Sequence, residues 1–206
     1  MKYPTAQQYI HLTNKGAHFA TQVDEESSEC SAIRTLLRCA KTPKLTEFLL
    51  LLKSHGNYAT LEMTMDLINK KLIIAKENPD TINPAVFEAN VKAILPALSD
   101  SGHCAICDNE GFVLAYTGFE LAQAEQASLL AIEISSLQAK REHNIQNLSG
   151  NKQSFISIID SDGHSQLRFW PMQFNTHIFY LAIKDTPQLE HSSFTRLTWL
   201  LGQRYL

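Results

Sequence analysis

The stretch His103–Gly118, "HCAICDNEGFVLAYTG", decides how the second half of this chain is read. Two short apolar runs, His103 to Cys107 and Phe112 to Tyr116, are split by Asp108-Asn109-Glu110-Gly111. Alternation at period two marks a strand with one buried face. Between the runs, Asp accepts nearby backbone N–H groups and Gly supplies a positive φ, so the four residues predict a tight hairpin turn. The same grammar returns downstream. Gln153 to Ile159 reads as a strand, Asp160-Ser161-Asp162-Gly163 as a second turn, Leu167 to Trp170 as the returning strand, and His177 to Lys184 as a fifth.

One long helix separates the two hairpins. From Phe119 to about Gln146 there is no Gly or Pro, and acids come early with Lys140-Arg141 late, as the helix dipole prefers. Ala124, Ser128, Ala131 and Ser135 form a stripe of small residues beside a bulkier stripe of Ala127, Leu130, Ile134 and Leu137, while Glu125, Glu133, Ser136 and Lys140 mark the wet side. This apolar and small surface is wider than one core contact needs. It packs wholly on its own sheet, or part of it meets a second copy of the chain; Ala124, Ser128, Leu130, Ala131, Ile134 and Ser135 are the candidate protein interface.

Elements flank this core on both sides. Asn83-Pro84 predicts a helix start, Phe87, Val91, Ile94, Leu95 and Leu98 its apolar face, and Pro96 a bend or stop. Ser192 or Ser193 can cap a last helix carrying Phe194, Leu197, Leu201 and Tyr205. The order from Asn83 is helix, two strands, long helix, three strands, helix. It predicts an α/β (α+β) module with a five-stranded antiparallel sheet and the long helix on one face.

Before "KENPDTINPAV" (Lys76–Val86) the grammar is helical, so two domains are predicted, residues 1–80 and 81–206. Residues 1 to about 28 are polar and weakly periodic, with an acidic cluster Asp24-Glu25-Glu26. Ala32, Ile33, Leu36, Leu37 and Ala40 make one helix, and Leu45, Phe48, Leu49 and Leu52 a second that closes at Gly56. Thr60 can cap a third, in which Leu61, Met65 and Ile68 share a face with Thr64, and Leu72-Ile73-Ile74 is a short β-prone run. A winged-helix-like domain is one reading of that order. Its third helix offers only Asn69, Lys70 and Lys71, beside Glu62 and Asp66, as a DNA-reading face. The 81–206 module carries its own sheet and helices, so a polypeptide beginning near Asp80 is expected to fold by itself.

At this point the segment "AICDNEGFVLAYTGFELAQAEQASLLAIEISSL", Ala105 to Leu137, resembles the core of the roadblock family, the dynein light-chain roadblock type also found in bacteria. Asp108, Gly111, Val113, Ala115 and the Ala/Leu-rich segment Ala124 to Leu137 carry the match, which extends over about residues 83–206. The resemblance implies a profilin-like fold preceded here by a small helical domain. It also implies homodimers or heterodimers joined through sheet edges and the long helix, and a scaffold that binds or regulates a small Ras-like GTPase or related complex. The family brings no catalytic residue set. The preceding helical segment departs from the single short domain common among bacterial members.

Chemistry elsewhere is sparse. With 18 basic and 21 acidic residues the formal charge is −3, too small to steer the chain toward a polyanion, so nucleic acid and anionic membrane are poor partners. No apolar run approaches a membrane span, and no leader is read at the start, so the expected location is the cytoplasm. Cys104 and Cys107 form C-x-x-C inside a strand, where residues three apart point to opposite faces and cannot converge on one ion. The second turn lacks the twelfth-position glutamate of a calcium loop. No phosphate-cradling loop, dinucleotide fingerprint or nucleophile elbow is found. The expectation is a non-enzymatic dimeric regulator without cofactor or metal; the alternative is a DNA-linked transcriptional regulator that reads through its N-terminal helices and dimerises through the C-terminal module.

Overall fold

Turn chemistry and strand alternation act locally, and the second half of the chain shows both. The computed structural model describes residues 4–22, 27–54, 60–149 and 156–206. They group into two units, one of Met1–Phe87 with Phe194–Leu206 and one of Glu88–Ser193.

In the second unit, α5 (Phe87–Ile94, its first residue belonging to the other unit) follows a short 3-10 turn started by Asn83, whose side chain accepts from Ala85 N–H at 3.0 Å. Pro96 ends the α-helical pattern, as its ring requires, and Leu95–Leu98 continue as a 3-10 turn. Strands β3 (Cys104–Asp108), β4 (Val113–Thr117), β5 (Ile156–Ile159), β6 (Ser165–Phe174) and β7 (His177–Lys184) form one antiparallel sheet. Its order is β4-β3-β7-β6-β5. The long helix α6 (Leu121–Ser149) lies mainly over β7, β3 and β4. The start expected for β5, from Gln153, lies outside the described residues.

Both turns form as their residues require. Asp108 Oδ1 accepts from the N–H of Glu110 at 2.9 Å and of Phe112 at 3.0 Å, and Gly111 has φ +93°. Asp160 Oδ1 repeats the pattern with Asp162 and His164, and Gly163 has φ +84°. Returning strand β6 runs further than expected, through Pro171 to Phe174. Pro171 stands opposite Tyr180 of β7, and the described part of β5 pairs with β6 no further than Phe169.

In the first unit, α2 (Ser28–Leu37), α3 (Leu45–Ser54) and α4 (Thr60–Asn69) are the helices that the apolar periodicity predicts. On α4 the buried side chains are Thr64 and Leu67, and Leu61 is exposed. The face expected through Leu61, Met65 and Ile68 is therefore rotated toward Leu67. The acidic cluster Asp24–Glu26 and the expected stop at Gly56 lie outside the described residues.

The opening segment, polar and weakly periodic in sequence, contains β1 (Tyr9–Leu12) and α1 (Asn14–Ala20). β1 pairs with β2 (Ile73–Lys76), a partner more than 60 residues away in sequence. α1 is capped by Thr13, whose hydroxyl accepts from Gly16 N–H at 3.0 Å, and its buried residues Gly16, Ala17 and Ala20 are too small to show as an apolar stripe. Gly16 is there because backbone meets backbone: a Cβ at this position would stand 2.0 Å from the carbonyl oxygen of Leu72. Gly16→Ala should therefore lower stability by roughly 3 kcal/mol, read from urea melts of the full chain. An unchanged midpoint would mean that α1 does not sit against the backbone at Leu72.

The last helix, α7 (Ser192–Tyr205), departs from the expected partition at residues 80/81. Its residues from Phe194 onward belong with the first unit, and the boundary on the N-terminal side falls at Phe87/Glu88. Phe194 stacks on His18 with ring centroids 4.2 Å apart, and Trp199 Nε1 donates to the Cys39 carbonyl at 2.7 Å. Amphipathic spacing shows that a helix buries one face but not against what, so the partner had to come from the tertiary structure. The first N–H groups of α7 are met by His191 Nδ1, which accepts from Ser193 N–H at 3.2 Å, rather than by a serine hydroxyl.

Candidate interaction surface

Pairing register sorts the sheet into two faces. Ala105 pairs with Ala182, Cys107 with Tyr180 and Phe169 with Ala182, so these residues point toward α6. Cys104, Ile106, Leu181 and Ile183 point the other way and are buried, and the turn Leu95–Leu98 lies against β3 and β4. The two cysteines of C-x-x-C thus occupy opposite faces. Burial pushes the Cys107 thiol up to about 11 and raises that of Cys104 further, so both are protonated apolar residues near neutral pH. All four cysteines are free thiols.

The small stripe of α6 meets this face. Ala124, Ser128 and Ala131 are fully buried and, with Ala127, pack on Ala105, Ala182 and Phe169. Small side chains let the helix sit close to the strands, and the Ser128 hydroxyl is satisfied locally by the Ala124 carbonyl at 2.8 Å. Ser135 reaches the Tyr180 hydroxyl, whose acidity is lowered by burial and partly restored by that bond. Ala124, Ser128 and Ala131 are therefore used inside the chain, and of the six candidate interface residues only Leu130, Ile134 and Ser135 keep half-exposed surface.

Helical spacing places the remaining apolar residues on two flanks. Ile132 and Leu129 stand against the β3–β4 turn, where a Cβ on Gly111 would lie 3.0 Å from Ile132 Cδ1 and 3.4 Å from Leu129 Cδ2. Leu130, Ile134 and Leu137 are on the opposite flank, toward the half of the sheet that α6 covers least. Leu137 is 60% exposed, although the stripe pattern counts it among the contacts of the bulkier face. Next to this flank, Leu167 of β6 is half-buried, and Ile158 of β5, its register partner on the same face, is 37% exposed. Ile159, at the end of β5, is 60% exposed. β5 closes the sheet, and among the described residues its outer edge has no strand beside it.

Sequence reasoning missed Leu129, Leu137, Ile158 and Ile159 as surface residues. For Leu129 a signal was present: it lies between Glu125 and Glu133 at helical spacing, an apolar residue in the middle of the wet side. For Ile158 there was none, since exposure there depends on which strands are neighbours.

Other candidate chemistry resolves into structure. The Asp160 carboxylate is held below the usual range chiefly by the N–H of His164, and its second oxygen accepts from Gln166 Nε2 at 2.6 Å. Its lone pairs thus serve the turn. No cluster of His, Cys, Asp and Glu able to hold a metal occurs among the described residues, and no helix there is long and apolar enough to cross a membrane. Just past α4, Lys70 Nζ is shared between Asp66 at 2.7 Å and Glu29 at 3.0 Å. In comparisons with protein-family models, curated proteins and solved structures, nothing matches this chain. What the fold itself defines is a mixed helix and sheet protein whose second unit is an antiparallel five-stranded sheet under one long helix.

Proposed function

We propose that this chain is a non-enzymatic regulator or scaffold of roadblock type, which dimerises through its second unit and binds or modulates a small Ras-like GTPase or related complex. The observation that carries the dimer is a set of apolar residues that are not fully buried, Leu130, Ile134 and Leu137 of α6, Leu167 of β6 and Ile158 of β5, beside a β5 edge that has no strand next to it among the described residues. A partly exposed apolar face beside a sheet edge is a template for association. A second copy related by a two-fold axis would extend the sheet and bring the two α6 flanks together. Regulation would follow if the paired surface binds one state of a nucleotide switch more tightly than the other. The sharing of Lys70 between two carboxylates leaves the end of α4 a weaker reader of phosphates, so the DNA-linked reading ranks second.

Ile158→Lys should convert a dimer to a monomer in sedimentation equilibrium while shifting the melt by less than about 1 kcal/mol, since the side chain is already partly in solvent. A wild-type chain that sediments as a monomer at high concentration would end the dimer reading. The GTPase part is tested by capture from native lysate with and without a non-hydrolysable GTP analogue. Recovery of a small GTPase in only one of the two conditions is the expected result, and its absence from both removes that partner.

A further inference from the structure

The first unit contains a cleft that the dimer reading does not use. Its volume is about 610 Å³, and its walls are Tyr9 of β1, the segment Cys39–Lys44 without Ala40, and Glu47, Leu50, Leu51 and Ser54 of α3. Volumes of roughly 300–1,000 Å³ are typical of small-molecule sites. Two features of its lining select a ligand.

The first is charge. Lys41 Nζ lies 5.8 Å and Lys44 Nζ 6.0 Å from the centroid of the Tyr9 ring, so both ammonium groups stand near the aromatic ring that lines the cleft. Among the described residues neither lysine forms a salt bridge; Lys44 donates to the neutral Gln7 Oε1 at 2.8 Å. The one carboxylate in the lining, Glu47, is engaged elsewhere, with Oε2 accepting from the backbone N–H of Lys44 at 2.9 Å as the cap of α3. The second feature is the apolar wall. Pro43, Leu50, Leu51 and the Tyr9 ring line the cleft, and Leu50 is 68% exposed although it lies in a core-forming helix.

We propose that this cleft binds a small organic anion with an apolar body, a medium-chain carboxylate being the simplest example, with its head at Lys41 and Lys44 and its body along Leu50 and Leu51. The polar end needs two cations because the ligand must give up water to enter, and two charge-assisted contacts offset that loss. The apolar end needs no shape beyond a flexible chain, which matches an open cleft rather than an enclosed cavity.

Cys39 gives an internal probe. It lines the cleft and is the one cysteine that is not buried. Burial and the nearby Glu47 charge raise its thiol above the ordinary range, so alkylation should be slow at pH 7 and accelerate through pH 9 and above. The test uses the full chain with decanoate, 1-decanol and decyltrimethylammonium in titration calorimetry, together with iodoacetamide labelling of Cys39. Decanoate should bind at least about tenfold more tightly than decanol and slow Cys39 labelling in a saturable way. Lys41→Met with Lys44→Met, which keeps the apolar stems, should remove the preference for decanoate and leave decanol unchanged. Equal affinity for the three amphiphiles, retention of decanoate binding by the double variant, or labelling indifferent to decanoate would overturn the proposal. So would capture by vesicles of anionic phospholipid without binding of monomeric decanoate, or a change of sedimenting mass in the double variant, since these assign the cleft to a membrane or to a second copy. If the double variant does not fold, the wild-type labelling experiment still decides.

Discussion

Ending the chain after Glu190 is expected to abolish the cooperative melt of the N-terminal unit, although no residue before Phe87 is altered. The deleted helix α7 brings Phe194, Leu197, Leu200 and Leu201 to at most 1% exposure. At about 1.5–3 kcal/mol for each such side chain, the loss is roughly 6–12 kcal/mol, which is the whole stability of an ordinary domain. Polar contacts add to it. Trp199 and Gln203 donate to the carbonyls of Cys39 and Leu37, the last turn of α2 and the residues just after it, where helix carbonyls have no intrahelical partner. Gly202 sits where a Cβ would be 2.8 Å from Leu37 Cβ, so α7 approaches α2 closely. Phe194→Ala alone should cost about 3–5 kcal/mol. Hydrogen exchange across residues 9–76 measures the effect directly: protection retained in the truncated chain would mean that α7 is an ornament of this unit. The same packing revises the expectation that a polypeptide beginning near Asp80 folds by itself. Such a polypeptide carries α7 without the surface it covers, and it should aggregate or lose its C-terminal helix.

Ala131→Glu should lower the stability of the full chain by roughly 4 kcal/mol or more, through overpacking and an unpaired buried charge. Ala131 has no exposed surface and stands among Ala127, Ala105, Ala182 and Phe169. The helix cannot back away from the sheet without also uncovering Ala124 and Ser128. Circular dichroism and sedimentation equilibrium, run together, separate the two uses of the stripe. A large fall in melting temperature is the expected result. A chain that melts normally but sediments at half its mass would instead mean that the stripe faces a partner, and the contact would then move from Leu130, Ile134 and Leu137 to Ala131.

Much of the second unit is written in local chemistry. Asp108 and Gly111, and again Asp160 and Gly163, specify their turns because side-chain acceptance of backbone N–H groups and a positive φ involve only a few neighbouring residues. The Gly- and Pro-free run that becomes α6, the stop at Pro96 and the strand His177–Lys184 are legible for the same reason. The interface candidates were only half legible. Periodicity found the small stripe, but whether Ala131 meets its own sheet or another chain depends on how closely the helix approaches strands distant in the chain, that of Ala105 before it and those of Phe169 and Ala182 after it.

The sequence by itself therefore determined the identity of most elements, the mixed helix and sheet class and the opposite facing of Cys104 and Cys107, since each follows from the period of a helix or strand. Only the tertiary structure decided the rest. It paired Tyr9–Leu12 with Ile73–Lys76, set α7 among the N-terminal helices, placed β5 last in the order of the described strands and brought Lys41 and Lys44 to the ring of Tyr9. Each of these depends on residues far apart in the chain meeting, and such meetings are chosen by the total apolar surface buried and the backbone groups satisfied, sums over the whole unit that no local window contains.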